Sequence, residues 1–205
     1  MEDGDRGPMA DAALKGMTID EFLHWEDGTD TRYELLAGFV VAMAPPAARH
    51  SLLATALGGE IRSALRARPP CRVYGEAGIV RPDRNDTCYV ADLAVTCQPL
   101  RVDDRLIRDP ILIVEILSPS TAAFDRQTKV ADYRRIPSVQ EILLIDSESV
   151  FAEVLRRDGE RWITEIVQGP GAILSLAAVP LNIPMAELYE GVPPSEAQAE
   201  SAGSG

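Results

Sequence analysis

The chain has 205 residues, which is enough for one domain with a sizeable hydrophobic core. Its composition is 46% hydrophobic and 25% charged, and no apolar run approaches the roughly 20 residues that a membrane-spanning helix needs. The N-terminal residues lack the basic and then apolar pattern of a secretory signal, so we expect a cytoplasmic protein with no membrane partner. The net charge of -12 argues against extensive contact with a polyanion, because nucleic-acid affinity depends largely on lysine and arginine at the phosphates.

One mixed α/β domain is predicted over residues 17–190, between a disordered leader (1–16) and a disordered tail (191–205). Periodicity, capping and turn signals predict its elements. In chain order these are a helix opened by a Thr18–Glu21 capping box, a hairpin (33–36 and 39–44), a helix (51–68), two strands (71–80 and 89–96), a central strand (111–117), a helix (122–136), a strand (141–146), a hairpin (150–157 and 161–167), a last strand (173–176) and a short helix (184–189). This order predicts a mixed β-sheet flanked by helices, with an extra C-terminal β-hairpin.

The three cysteines, Cys71, Cys88 and Cys97, are an odd number and form no C-x-x-C pair. Each lies in or beside an apolar, strand-like segment. We therefore expect buried free thiols in preference to disulfides or zinc ligands.

The central strand contains the first candidate for chemistry. Residues 111–117 read I-L-I-V-E-I-L, which predicts a strand buried on both faces with Glu115 inside it. Burying an unpaired carboxylate is costly, so Glu115 needs either a metal ion or a buried cation. The alternative is a half-solvated glutamate at a strand end, beside an arginine.

A second carboxylate, Asp92, lies inside the apolar run of the preceding strand, 23 residues before Glu115. Two acids on neighbouring strands can share a divalent cation, and Mg²⁺ prefers one or two carboxylates together with waters and phosphate oxygens. The alternative is an aspartate at a strand end that accepts a hydrogen bond from a neighbouring amide.

Lysine is scarce, since only Lys15 and Lys129 accompany eighteen arginines, and Lys15 lies in the predicted leader. Lys129 follows the central strand, on the next helix. Its ammonium could orient an attacking water or offset charge in a transition state. It could equally form an i,i+4 pair with Asp125 on a solvated helix face.

Three further residues are weaker candidates. Glu34, in the first hairpin, is either a metal ligand, a substrate-positioning group or a surface glutamate. His50 either caps the helix that follows it or contacts a phosphate, and capping is the more usual role, whereas His24 is expected at the surface. Neither histidine has partners for a Ser-His-Asp triad, and no phosphate-loop glycine motif is present.

Five segments carry a family resemblance. They read Y-E-L-L-A-G-F-V-V-A-M-A-P-P (33–46), A-R-H-S-L-L (48–53), Y-V-A-D-L-A-V (89–95), I-V-E-I-L-S-P-S-T-A-A-F-D-R-Q-T-K-V-A-D-Y-R-R (113–135) and V-Q-E-I-L-L-I-D (139–146). In this order they resemble the Uma-two family of restriction endonuclease domains, within the PD-(D/E)XK nuclease superfamily. The resemblance runs from about Thr18 to Tyr189 and implies a restriction-endonuclease-like core, with acids and one lysine at the edge of its sheet.

Position by position, the resemblance implies that Asp92 is the acid of the PD element, Glu115 the acid of the (D/E)XK element and Glu34 the acid of the Y-E-L segment. The proline expected before Asp92 is Ala91 here. More importantly, the usual lysine position is Leu117, on the same strand face as Glu115.

The resemblance extends to branches in which the lysine lies on the following helix, where Lys129 is the matching residue. The resulting expectation is a DNA endonuclease, acting as a homodimer, that uses Mg²⁺ or, as a substitute, Mn²⁺. Asp92, Glu115 and the backbone carbonyl of Ile116 would hold the metal. The main alternative is an inactive protein-interaction module on the same fold, which Leu117 and the net charge favour. A glycosidase that uses Glu34 and Glu115 ranks lower, because aromatic residues make up only 5% of the chain.

Overall fold

The computed structural model describes residues 16–99, 101 and 104–193. The predicted leader and tail therefore lie almost entirely outside the described residues, and the domain limits stay a prediction. None of the helices in the described part of the chain is long and apolar enough to cross a membrane.

The described residues form ten strands and five α-helices, which follow the predicted order closely. In sequence they are α1 (Ile19–His24), β1 (Tyr33–Leu36), β2 (Phe39–Ala42), α2 (Ala48–Ala64), a 3₁₀ turn (Leu65–Ala67), β3 (Arg72–Val80), β4 (Cys88–Thr96), β5 (Pro110–Leu117), α3 (Ala122–Phe124), a π-helical turn (Asp125–Lys129), α4 (Val130–Tyr133), β6 (Glu141–Asp146), β7 (Phe151–Asp158), β8 (Arg161–Gln168), β9 (Ile173–Leu176), β10 (Leu181–Pro184) and α5 (Met185–Leu188).

Local signals explain where several of these elements begin. The side chain of Thr18 accepts a hydrogen bond from the Glu21 amide, and the Glu21 side chain accepts one from the Thr18 amide, so the capping box at α1 is confirmed. The β1–β2 hairpin turns through Ala37 and Gly38, both of which have positive φ angles. This is the conformation that a two-residue hairpin turn requires.

Eight strands form one mixed sheet, which confirms the predicted fold class. Seven of them follow the order β2-β1-β4-β5-β6-β7-β8, and β3 pairs with β4 outside this path. Among the strands that the structure describes, only β5 and β6 pair in parallel, and they are joined by the connection that contains α3, the π-helical turn and α4. The predicted C-terminal hairpin is β7–β8, and β9 pairs with β10 in a separate two-stranded sheet.

Strand β5 is buried along its whole length because each of its faces is covered. Val114 and Ile116 point to one side, in the cluster that contains the inner residues of α2. Ile113 and Leu117 point to the other side, in the cluster that contains Tyr133 of α4. Glu115 lies between these last two residues and therefore faces α4.

The sheet forks at residues 89–92 of β4, where β5 is not paired with β4. We call this region the fork. β3 pairs with β4 from Cys88 to Thr96 and fills one edge of that strand. A strand has only two hydrogen-bonding edges, so β1 and β5 share the other one. β1 contacts it at Cys88, and the β5 ladder begins at Leu93. Residues 89–92 of β4 thus face a gap between β1 and β5.

Three predictions need correction. The helix predicted over residues 122–136 is interrupted by the π-helical turn, and β10 was not predicted. The expectation of three free thiols is wrong, because Cys71 and Cys97 form a disulfide. The reason is the β3–β4 register, which pairs Arg72 with Thr96 and places the two flanking cysteines side by side. Cys88 is free and buried, and burial raises the pKa of its thiol to about 12.

Candidate active site

Two carboxylates replace the missing ladder hydrogen bonds in the fork. The amide of Val90 donates to Glu34 Oε1 at 2.8 Å, and the amide of Ile116 donates to Asp92 Oδ2 at 2.6 Å. Buried amides need such partners where strand pairing stops. The amides left without a strand partner at the fork therefore explain why acidic side chains lie there.

Lys129 joins the acids of the fork. Its Nζ atom lies 2.9 Å from Glu34 Oε1, 3.4 Å from Glu115 Oε1 and 3.5 Å from Asp125 Oδ1. The side chains of Lys129, Glu115 and Asp125 are only 7%, 3% and 5% exposed. The predicted alternative of a solvated i,i+4 pair between Asp125 and Lys129 does not describe this arrangement, because both residues are buried and the ammonium is shared by three acids.

The π-helical turn contributes to the placement of Lys129. Val130 donates its amide to the carbonyl of Asp125, five residues earlier, so the turn is wider than an α-helical one. Asp125 and Lys129, at its two ends, are both buried. Burial opposes the charge of Lys129, but the three carboxylates outweigh it and raise the lysine pKa above its ordinary value.

Glu115 is the most strongly perturbed acid of the cluster. Loss of hydration raises its pKa to about 8, and the nearby charges of Asp92 and Asp125 act in the same direction. The charge of Lys129 and a 2.5 Å hydrogen bond from the Tyr133 hydroxyl only partly offset this rise. The cluster thus contains more carboxyl groups than one lysine neutralises, and ionisation of Glu115 is disfavoured when no other cation is present.

His50 reaches the fork from α2, on the other side of the sheet. Its Nε2 atom lies 3.1 Å from Asp92 Oδ1, and the two side chains are 16% and 20% exposed. They are therefore more open to solvent than Glu115 and Lys129.

The structure brings three of the four predicted side chains into direct contact, since Glu34 and Glu115 both lie beside the ammonium of Lys129. Asp92 contacts the amide of Ile116, the residue next to Glu115, and its charge raises the pKa of Glu115. The amide-accepting role considered for Asp92 is also present. Lys129 reaches Glu115 despite the leucine at position 117, and its ammonium contacts both Glu34 and Glu115.

Three residues of the cluster were not predicted in the roles that they have here. His50 does not cap α2, whose N-cap residue, Ala47, has no side-chain capping bond. Tyr133 was not a candidate from the sequence, and its hydroxyl group donates to Glu115. Asp125 was considered only as a partner for Lys129. No local pattern in the sequence distinguishes these roles, since each depends on how the helices dock on the sheet.

The residues at the fork fit a small set of oxygen ligands for a metal ion. In the part of the chain that the structure describes, no group of three or more His, Cys, Asp or Glu side chains is arranged to hold a metal. Asp92 and Glu115 are two carboxylates, the number that Mg²⁺ commonly takes from a protein while it retains water. The amide and carbonyl of a strand residue point to the same side, so the carbonyl of Ile116 faces the gap in which its amide meets Asp92.

Fold and fork together define a nuclease-like α+β domain, and comparisons with known proteins agree. A crystal structure described as a "putative nuclease belonging to DUF820" from Anabaena variabilis is similar to this chain with a TM-score of 0.69 and 21% identity. The similarity covers 85% of this chain and 98% of that one, and at this identity it supports the fold alone.

Sequence comparison gives the family. The model of the Uma2 family, described as "Putative restriction endonuclease", matches residues 19–186, and the chain belongs to this family. Uncharacterized protein slr1290 of Synechocystis is 30% identical over 187 residues, covering 88% of this chain and 95% of that protein. Uncharacterized protein sll1609 of the same organism is 27% identical over 167 residues, covering 80% of this chain and 94% of its own length.

Proposed function

We propose that this protein is a Mg²⁺-dependent endonuclease that hydrolyses DNA phosphodiester bonds. The observation that carries the proposal is the convergence of Asp92, Glu115 and Lys129 at the fork between β4 and β5. Membership of a restriction endonuclease family supports DNA as the substrate. A homodimer in the cytoplasm is part of the proposal, since a duplex has two strands to cut and dimers are the commonest oligomers.

Asp92, Glu115 and the carbonyl of Ile116 would hold the metal, for which Mn²⁺ is a possible substitute. A bound Mg²⁺ would activate a water and stabilise the charge that develops on the phosphoryl group. The raised pKa of Glu115 supports this assignment, because a buried acid with too few cations around it gains most from a divalent ion.

Lys129 is assigned to the attacking water and the developing charge, and Glu34 to positioning the ammonium. Lysine has three N–H donors, and three carboxylates lie within 3.5 Å of its Nζ atom. Lys129 can therefore serve a water only when one of these carboxylates is released. Glu34 is the nearest acid and is itself held by the Val90 amide, so it keeps the ammonium at the fork.

A protein-interaction module without catalysis is the second candidate, and the pairing of arginines near the fork favours it. Arg49 contacts Glu148 at 2.6 Å and Arg126 contacts Glu153 at 2.8 Å. Together with the net charge of -12, these pairs leave less positive charge for a DNA backbone.

Cleavage of plasmid and single-stranded DNA with Mg²⁺ or Mn²⁺ tests the two candidates. Glu115→Gln removes the charge of the buried acid, and Glu187→Gln is the matched control at an exposed position on α5. Metal-dependent cutting that is lost in Glu115→Gln and kept in Glu187→Gln supports the nuclease. No cutting by the wild-type protein with either metal contradicts it and favours the interaction module.

A further inference from the structure

We infer that His50 is a positioning residue that fixes the carboxylate of Asp92 for metal binding, an inference that rests on the function proposed above. His50 Nε2 lies 3.1 Å from Asp92 Oδ1. A carboxylate oxygen is a hydrogen-bond acceptor, so this contact is favourable when Nε2 of the imidazole carries a proton.

The two oxygens of Asp92 are held from different directions. The Ile116 amide of β5 donates to Oδ2 at 2.6 Å, and Nε2 of His50, on α2, lies 3.1 Å from Oδ1. A single hydrogen bond at Oδ2 would leave the carboxylate free to rotate about its Cβ–Cγ bond. The contact with His50 at the other oxygen restricts that rotation and leaves lone pairs on both oxygens for a cation. Hydrogen-bond partners that orient a metal-binding side chain strengthen metal affinity in this way.

His50 is itself held firmly by its helix. Leu53, Leu57 and Ile61, on the inner face of α2, are completely buried against the sheet. This anchor fixes the position of the first turn, where His50 lies. The Asp92 contact therefore depends on a rigid element of the fold and not on a loop.

Packing alone does not account for a histidine at this position. The Nδ1 atom is buried and has no hydrogen-bond partner among the described residues. An unsatisfied buried polar atom costs free energy, and an apolar side chain of similar size would avoid that cost. The contact of Nε2 with Asp92 is therefore the polar interaction that can favour a histidine at this position.

A calorimetric titration of the purified protein with Mn²⁺ tests the inference. The variants are His50→Ala, His50→Gln and His50→Asn, with His24→Ala as the matched control, because the side chain of His24 is 79% exposed and its Nδ1 atom lies beside Asp20 of the same helix. Asp92→Asn identifies the site, since an acidic protein also binds Mn²⁺ weakly elsewhere. Thermal melting of each variant separates loss of metal affinity from loss of folding.

We expect His50→Ala to weaken Mn²⁺ binding by about 10- to 100-fold, the effect usual for partners of metal ligands. Glutamine reaches as far as Nε2 and keeps a donor, so His50→Gln should stay within about threefold of the wild-type affinity. Asparagine is one carbon shorter and should behave like alanine. Equal affinity in the wild type and His50→Ala, or no rescue by glutamine, overturns the inference. The proposed function is contradicted instead if the wild-type protein has no Mn²⁺ site, or if its Mn²⁺ site remains in Asp92→Asn.

Discussion

Two buried glutamates on the neighbouring parallel strands β5 and β6 make an instructive comparison. Glu115 and Glu141 are 3% and 2% exposed. Glu141 accepts hydrogen bonds from Arg156 Nε at 2.7 Å, from the Ala177 amide at 3.0 Å and from the Ala178 amide at 2.6 Å. Glu115, in contrast, has a tyrosine hydroxyl group and a lysine that it shares with two other acids.

The difference shows that burial of an acid does not by itself mark an active site. Glu141 has two fixed amides and the guanidinium of Arg156, which it shares with one other acid, Glu165, and it ties the turn between β9 and β10 to the main sheet. Its role is complete without any other ligand. Glu115 has fewer donors and more acid around it, which raises its pKa to about 8 and leaves it suited to an additional cation.

Removing the cation beside each glutamate, Lys129 for Glu115 and Arg156 for Glu141, should give the largest difference in the free energy of unfolding. Lys129→Met leaves Glu34, Glu115 and Asp125 without their shared ammonium, and we expect a loss of about 3–5 kcal/mol in the free energy of unfolding of the metal-free protein. Arg156→Met leaves Glu141 with both amides, so a loss of about 1–2 kcal/mol is expected. Urea unfolding at pH 7 measures both values. Equal losses would mean that the two clusters are held in the same way.

Glu115→Gln should change the pH dependence of stability. In the wild type, folded Glu115 has a pKa of about 8 against an ordinary value of 4.5, so the folded state binds the extra proton between these limits. The contribution of Glu115 to stability is therefore full below pH 4.5 and is lost as the pH rises toward 8, by up to about 1.4 kcal/mol per pH unit.

Urea unfolding of the metal-free protein at pH 5.5, 6.5 and 7.5 checks this slope. Glu115→Gln cannot titrate, so its stability should fall less steeply over the range than that of the wild type. Glu187→Gln, at an exposed position, should keep the wild-type slope. Identical slopes in all three proteins would show that Glu115 is already ionised at pH 5.5.

The sequence was sufficient for most of the fold because its signals are local. The capping box at Thr18, the glycine turn at Gly38 and the apolar run of β5 each predicted an element that the structure contains. Among the candidate site residues, Glu115 was chosen because an acid in an apolar run needs compensation, and Lys129 because lysine is rare in this chain.

The remainder of the site depends on contacts between distant segments. His50 meets Asp92 only because α2 docks beside the fork, and Tyr133 meets Glu115 only because α4 packs on β5. Cys71 and Cys97 become neighbours through the β3–β4 register, which no pattern in either strand specifies. The two buried glutamates show the same limit. The apolar run around Glu141 resembles the run around Glu115, so the sequence does not reveal that their hydrogen-bond partners differ.

Tyr133→Phe tests the smallest difference between the two regions. The Tyr133 hydroxyl donates to Glu115 at 2.5 Å and helps to hold the ionised form of that acid. Its loss should cost about 1–2 kcal/mol, and more above pH 8 than below it, because a hydrogen bond to a charged acceptor is the stronger one.

Tyr189→Phe is the matched control, since this hydroxyl donates at 2.5 Å to the main-chain carbonyl of Asp146, which does not titrate. The cost of Tyr189→Phe should therefore be the same at pH 6 and pH 9 in urea unfolding experiments. If the cost of Tyr133→Phe is equally constant, Glu115 does not change its charge in this range. A cost that rises with pH only in Tyr133→Phe would place the titrating acid at the fork, as the excess of carboxylates around Lys129 requires.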